Sequence, residues 1–358
     1  MSRSIIIAAR RSAVVPRNGA FKALEVHELA APVIGALLQD GGIDAGDVGE
    51  LILSNALGGG GNPARLAALA AELPLSVGGV SIDRQCAGGL DAVLLADALV
   101  RSGQHDVVIA GGAESYSRRP LRLRTFADGR DPEAYDRPPF SPWPERDPEL
   151  ATAADALGVP QVAQENWAME SHRKAMAADF TGEIVPILSV ERDAFTRNLT
   201  ARHCAKAPII HGNVTSATTA VAADAAAFVL VVSERVANRL GKMGVVIRKG
   251  ATLGAAPEDP GLAPIAAIET LGVSVEHIST IELMEAYAAQ AIACQDGAVL
   301  PIERINPKGG ALARGHPIGA SGAILAVRLF HDLASKGGTG LAAIAAAGGL
   351  GTAVLFES

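Results

Sequence analysis

Along the chain, short apolar runs alternate with longer stretches in which apolar residues recur every three or four positions. Ile5–Ala9 reads as a buried strand. His27–Gln39 has the spacing of an amphipathic helix. Leu51–Ser54 reads as a short strand, Arg65–Ala71 as a helix stopped before Pro74, and Val80–Ile82 as a further strand. A helix is predicted over Leu90–Val100, with Leu90, Val93 and Leu94 on one face. A strand, Val107–Ala110, follows and ends on Gly111-Gly112. Strands alternating with helices in this way predict a layered α/β fold.

After Ser117 the pattern breaks. Residues 118–148 are rich in Pro, Arg and Asp and lack periodicity, which predicts an irregular excursion. Helical spacing returns over Gln161–Ala178, irregular chain runs to about Thr215, and a strand pattern resumes over Ala225–Ser233. The expected organisation is a first half made of residues 1–118 and about 215–242, an insertion of about 119–214, and a second half of about 243–358. The two halves echo each other. In the first, Cys86-Ala-Gly-Gly leads into a helix, a strand and Gly-Gly. In the second, Gly315-His316-Pro317-Ile318-Gly319-Ala320-Ser321-Gly322 leads into a helix (Ala323–Leu333), a strand (Gly340–Ala346) and Gly348-Gly349. A duplicated unit would set the cysteine turn and the histidine turn face to face across a pseudo-twofold axis.

Composition narrows the function. Aromatic residues make up only 4% of the 358, while Ala and Gly are abundant, so the core is expected to pack small side chains closely. The net charge of −7 argues against nucleic acid as the main partner, because phosphate binding needs a basic surface. Three cysteines, Cys86, Cys204 and Cys294, are too few for a disulfide framework in a chain this long and suggest a reducing compartment. The start, Met1-Ser-Arg-Ser before Ile5-Ile-Ile, is too short an apolar stretch for a signal peptide, and no run of about 18 apolar residues predicts a membrane span. A soluble cytoplasmic protein is expected. The eight histidines and three cysteines show no metal-ligand spacing, so no metal is expected.

Two segments carry candidate chemistry. Arg84-Gln85-Cys86-Ala87-Gly88-Gly89 lies between a predicted strand and a predicted helix. A cysteine there meets the positive end of the helix dipole and free backbone N–H groups, which favour thiolate and lower its pKa. Gly88 and Gly89 would leave room for a bulky acyl group. A buried structural cysteine fits the same local sequence. Residues 306–322, Asn-Pro-Lys-Gly-Gly-Ala-Leu-Ala-Arg-Gly-His-Pro-Ile-Gly-Ala-Ser-Gly, set one imidazole among five glycines and two prolines. This composition predicts a rigid turn rather than a helix, and Pro317 restricts His316 to extended angles. Such a histidine suits general-base work on a thiol or hydrogen bonding to an oxyanion. A loop-capping histidine is the alternative. Arg118, Arg119, Arg122 and Arg124 cluster at the start of the insertion, either to meet phosphates or as a solvated loop.

The 306–322 segment closely resembles the histidine motif of thiolases, and the Cys86 segment resembles their nucleophile motif. Gly61-Asn-Pro-Ala-Arg65, Gly111-Gly112-Ala113-Glu114-Ser115, Ser171-His172-Arg173-Lys174-Ala175, Glu183-Ile-Val-Pro186, Gly212-Asn-Val-Thr215 and Asp224-Ala-Ala-Ala227 match further family segments in order, over nearly the whole chain. The resemblance implies the five-layered αβαβα thiolase fold with an inserted loop domain, no permanently bound cofactor, a coenzyme A thioester as substrate, and at least a homodimer, or a homotetramer. It implies that Cys86 takes the acyl group, that His316 is the general base or an oxyanion donor, and that Gly349, with the N–H of Cys86, is a candidate oxyanion hole. Arg118 and Arg119 become candidates for the coenzyme A phosphates.

Two positions depart from the family pattern. Thiolases carry a second catalytic cysteine near the C-terminus, and alignment of residues 340–351 puts Ala345 there. Their Asn-Glu-Ala-Phe motif reads Met284-Glu285-Ala286-Tyr287 here, so a thioether replaces the oxyanion-hole asparagine. In the family the second cysteine moves the α-carbon proton, and the asparagine supports the enolate. Loss of one oxyanion donor typically lowers the rate by about 10²–10³. Both losses fall on carbon deprotonation and leave acyl loading equipped. The leading expectation is thus an acyltransferase that forms an acyl-enzyme intermediate on Cys86, from an acyl-CoA or an acyl carrier protein, and passes it to an acceptor the sequence does not name. Two alternatives stand beside it: a conventional β-ketothiolase with a substitute base, and a non-catalytic subunit that stabilises an active partner.

Overall fold

In the computed structural model, which describes residues 3–358, the two halves are built to one plan. The first contains β1 (Ser4–Ser12), α1 (Val26–Gly41), β2 (Glu50–Ser54), α2 (Pro63–Ala70), β3 (Val80–Ile82), α3 (Gly88–Arg101) and β4 (Val107–Ser115). The insertion, which includes α4 (Leu150–Ala156) and α5 (Gln161–Ala177), separates β4 from β5 (Ala223–Ser233). The second half contains β6 (Val245–Gly254), α6 (Ala263–Leu271), β7 (Thr280–Leu283), α7 (Ala288–Gly297), α8 (Ile318–Lys336), β8 (Thr339–Ala346) and β9 (Leu350–Glu357).

The strands pair in the order β7-β8-β9-β6-β1-β5-β4-β2-β3. Read outward from the centre, each half runs first strand, last strand, penultimate strand, second strand, and the first half adds β3 at its edge. The halves meet where β1 pairs antiparallel with β6, Ile5 opposite Val246. This is the duplication expected from the sequence echo, and it makes α3 and α8 counterparts.

The layers follow from which faces are apolar. Along β5, Ala225, Ala227, Val229 and Val231 enter one core, while Ala226, Phe228, Leu230 and Val232 enter another. A strand buried on both faces reads as a continuous apolar run, as this one does. The first of these cores lies in the middle and packs α3 and α8 between the two halves of the sheet. The second is closed by α1 and α2, and a third, on the far side, by α6 and α7. Helix, sheet, helix, sheet and helix thus make the five expected layers.

The middle layer explains the glycines. An added Cβ at Gly322 would lie 2.4 Å from the backbone N of Leu90, and one at Gly89 would lie 2.6 Å from that of Ala323. At Gly319 it would come within 2.7 Å of the Ser54 carbonyl, and at Gly88 within 2.2 Å of Ser54 Oγ. These glycines therefore let α3, α8 and β2 approach closely, and Gly88 and Gly89 do not make room for a substrate. For the same reason residues 318–322 form the first turn of α8 rather than the expected turn without helix. The glycine penalty of roughly 1 kcal/mol each is offset by close packing.

The insertion also holds more order than its composition suggests. Arg122–Arg124 pairs with Glu133–Tyr135 as a two-stranded ribbon too short to show periodicity. No helix among the described residues is long and apolar enough to cross a membrane.

Candidate active site

Cys86 sits in a tight turn, Gln85–Ala87, between β3 and α3. Gln85 adopts a left-handed conformation, φ 49°, which a non-glycine residue holds only where its surroundings enforce it. Asp83 does so: its carboxylate accepts the Gln85 backbone N–H at 2.8 Å and the Gln85 Nε2–H at 3.0 Å. The turn leaves Cys86 half-buried on the wall of a cavity.

His316 comes from the second half. Its backbone N–H donates to the Val221 carbonyl at 2.7 Å, in the extended geometry that Pro317 enforces. Its Nε2 stands 3.2 Å from Cys86 Sγ, and its Nδ1 stands 2.7 Å from Ser321 Oγ. Ser321 donates to the Pro317 carbonyl at 2.9 Å. With the hydroxyl proton on that carbonyl, Ser321 Oγ accepts Nδ1–H. Nε2 then carries the lone pair that faces the thiol. Ser321 was missed by the sequence reasoning. Its signal was a hydroxyl five positions after His316 in an otherwise small and apolar stretch.

The electrostatics differ from the sequence expectation. The thiol of Cys86 is pushed up to about 12, chiefly by burial, with the backbone N–H groups of Cys86 and Ala347 pulling the other way. The imidazole of His316 is held down to about 4, by burial and then by the nearby positive charge of Arg314. Desolvation is the largest cause for both groups, and it favours neutral thiol and neutral imidazole over an ion pair. A neutral pair at this distance is arranged so that a proton could pass from Sγ to Nε2.

The cavity beside Cys86 is lined by Leu150, Ala153 and Ala154 of α4 and by Leu157 just after it, by Pro260 and Gly261, by Ala286, Tyr287 and Gln290, and by Ala345, Ala346 and Ala347. Ala345 thus presents a methyl group on the wall. Met284 is fully buried in the central core and does not reach the wall. The backbone N–H beside the sulfur is that of Ala347, and Gly349 is not on the wall. Gly349 instead turns the chain between β8 and β9 with φ 75°, and its carbonyl accepts Ala255 N–H at 2.6 Å. Arg118 and Arg119 are not brought to this cavity. They border a separate hollow with Gly58–Gly60, where Arg118 pairs with Glu25 at 2.9 Å and Arg119 with Asp136 at 2.6 Å.

Two buried carboxylates fix the frame. Glu114, at the end of β4, accepts from Asn55 Nδ2 at 2.7 Å and from the backbone of Gly319 at 2.9 Å, which ties the start of α8 to the first half. Glu285 accepts from Trp167 Nε1 (3.0 Å), Ser171 Oγ (2.8 Å), Asn306 Nδ2 (2.7 Å) and Leu312 N–H (3.1 Å). It thereby docks α5 of the insertion on the segment that leads to His316. Cys204 and Cys294 are buried and unpaired by disulfide. Among the described residues no group of three or more His, Cys, Asp or Glu side chains gathers as a metal site.

Comparison with known proteins agrees with this architecture. The family models described as "Thiolase, N-terminal domain" and "Thiolase, C-terminal domain" match residues 4–137 and 236–358. The chain is 37% identical to a Bacillus subtilis protein named "Putative acetyl-CoA C-acetyltransferase YhfS", over 99% of each chain. It is 34% identical to the Staphylococcus aureus protein named "Putative acetyl-CoA C-acetyltransferase VraB", again over 99% of each. Among solved structures, the acetyl-CoA acetyltransferase of Bacillus anthracis superposes with a TM-score of 0.93 at 30% identity, covering 100% of this chain and 99% of that one. The Acat5 thiolase of Ascaris suum, solved in complex with coenzyme A, gives 0.92 at 25% identity over 99% and 100%. With both domains matched in order and the cysteine and histidine turns brought together at the junction of two equivalent halves, the chain belongs to the thiolase family.

Proposed function

We propose that the protein is an acyltransferase that loads an acyl group from a coenzyme A thioester onto Cys86. The observation that carries this reading is the 3.2 Å contact between Cys86 Sγ and His316 Nε2, with Nδ1 held by Ser321. The thiol proton passes to Nε2 while sulfur adds to the thioester carbon. The oxyanion is proposed to be received by the backbone N–H groups of Cys86 and Ala347, which both act on the sulfur. Collapse expels the coenzyme A thiolate, which takes the proton back from His316. The coenzyme A complex of the Ascaris suum neighbour supports this donor class.

The second half of the reaction is proposed to avoid α-proton removal, because Ala345 offers no proton-transfer group on the wall and Met284 offers no amide. The acceptor then brings its own nucleophile, an oxygen, nitrogen or thiol group, or a carbanion released by decarboxylation. The names of the two bacterial relatives favour a second reading, carbon–carbon chemistry of the acetyltransferase type with a substitute base. Intact-mass spectrometry after incubation with a panel of acyl-CoA thioesters tests the proposal. A mass increase that is lost in Cys86→Ala is expected. No adduct with any donor would overturn it.

A further inference from the structure

The cavity beside Cys86 has an apolar wall, but two of the residues that line it, at the start of α7, carry polar tips: Tyr287 and Gln290. Gln290 is 3% exposed. Its Oε1 accepts the Ala286 N–H at 3.3 Å, which fixes the orientation of the amide, since a flipped amide would set N–H against N–H. That leaves Nε2 as the free end, and this buried donor has no hydrogen-bond partner among the described residues. Gly261 keeps the space for it, because an added Cβ there would lie 3.1 Å from Gln290 Cγ. Tyr287 stands where the thiolase motif has phenylalanine, so its hydroxyl is an addition to the motif. That hydroxyl has no hydrogen-bond partner among the described residues. Burial, and then the neighbouring Cys86, push the phenol up to about 12, which keeps it a donor at neutral pH.

We propose that Tyr287 and Gln290 form a donor pair that selects an acyl group carrying a hydroxyl or carbonyl oxygen beyond its thioester carbonyl. The inference rests on the reading of Cys86 as the acyl acceptor and names the substrate class of that site. A plain alkyl chain would fill the apolar part of the cavity and strip water from both donors without replacing its hydrogen bonds. An oxygen-bearing chain satisfies them. Sites built to bond a substrate hydroxyl reject the analogue lacking it strongly, by about 10⁴-fold or more where the fit is complete. Loading itself is unchanged in balance: the Cys86 proton moves to His316, the new S–C bond forms, and the bond from carbon to the coenzyme A sulfur breaks.

The test is single-turnover acylation of the full chain, followed by intact mass, with butyryl-CoA, 3-hydroxybutyryl-CoA and 4-hydroxybutyryl-CoA. These probes differ only in the presence and place of one hydroxyl. The wild type should load one of the hydroxyacyl groups at least about 10-fold faster than butyryl. Tyr287→Phe and Gln290→Leu should each shrink that ratio, largely by raising the butyryl rate. Butyryl loading as fast as both hydroxybutyryl groups, or a ratio unchanged in both variants, overturns the donor pair while acyl loading stands. No adduct from any of the three overturns the donor pair, and acyl loading falls with it only if acetyl-CoA also leaves Cys86 unmodified. The wild-type ratio decides the matter if a variant fails to fold.

Discussion

Ser321 holds the far nitrogen of His316 at 2.7 Å and, with its own proton on the Pro317 carbonyl, leaves the unprotonated nitrogen of the imidazole facing the thiol. Ser321→Ala removes that hold without adding bulk. Acyl loading on Cys86 should fall about 10-fold, the worth of one hydrogen bond of roughly 1 kcal/mol or slightly more, with the unfolding midpoint little changed. Ser321→Thr should restore part of the rate. A loading rate equal to wild type in the alanine variant would remove Ser321 from the relay.

The neutral thiol–imidazole pair has a spectroscopic consequence. With the thiol pushed up to about 12 and the imidazole held to about 4, the thiolate fraction at neutral pH lies below that of a free cysteine, whose pKa is about 8.5. The ultraviolet difference between wild type and Cys86→Ala should show no thiolate signal between about pH 6 and 9, and His316→Ala should still lower acyl loading by about 10²–10⁴. A thiolate signal at neutral pH would show an ion pair instead.

Glu285 collects four donors from two segments, α5 and residues 306–312. In Glu285→Gln, one acceptor oxygen becomes an NH₂ group facing other donors. The variant should be destabilised by about 2–3 kcal/mol, read as a lower denaturant midpoint, and α5 should become more sensitive to proteolysis. Wild-type stability would mean that the insertion is held by other contacts.

Gly322 and Gly35 make a matched pair. Alanine at 322 drives Cβ to 2.4 Å from the Leu90 backbone, whereas alanine at 35 meets nothing within 4 Å. Gly322→Ala should lose about 1–3 kcal/mol and, by shifting α8 against α3, slow acyl loading by as much as about 10²-fold. Gly35→Ala should gain about 0.5–1 kcal/mol. Equal effects at the two positions would contradict the close-packing account.

These glycines also show what the sequence could and could not convey. Strands such as Ala223–Ser233 were legible because both faces are buried and the apolar run is unbroken. Cys86 and His316 were legible because their chemistry sits in distinctive turns. Ile318–Gly322 was misread because glycine marks turns locally, while here it marks where backbones touch across the fold. The choice between Gly349 and Ala347 depends on which N–H faces the sulfur, a property of the β8–β9 corner that linear order does not carry. The direction of the thiol shift depends on burial, which only the assembled halves create.

The central claim is acyl loading without carbon deprotonation, and it rests on Ala345 and Cys86 sharing one cavity wall. Exchange of the α-protons of acetyl-CoA in deuterated water, followed by magnetic resonance, tests it most directly, because it requires no knowledge of the acceptor. The account predicts that Cys86 becomes acetylated while exchange stays at the buffer rate. Exchange that scales with protein concentration and disappears in Cys86→Ala would contradict it, and would place a substitute base in the pocket.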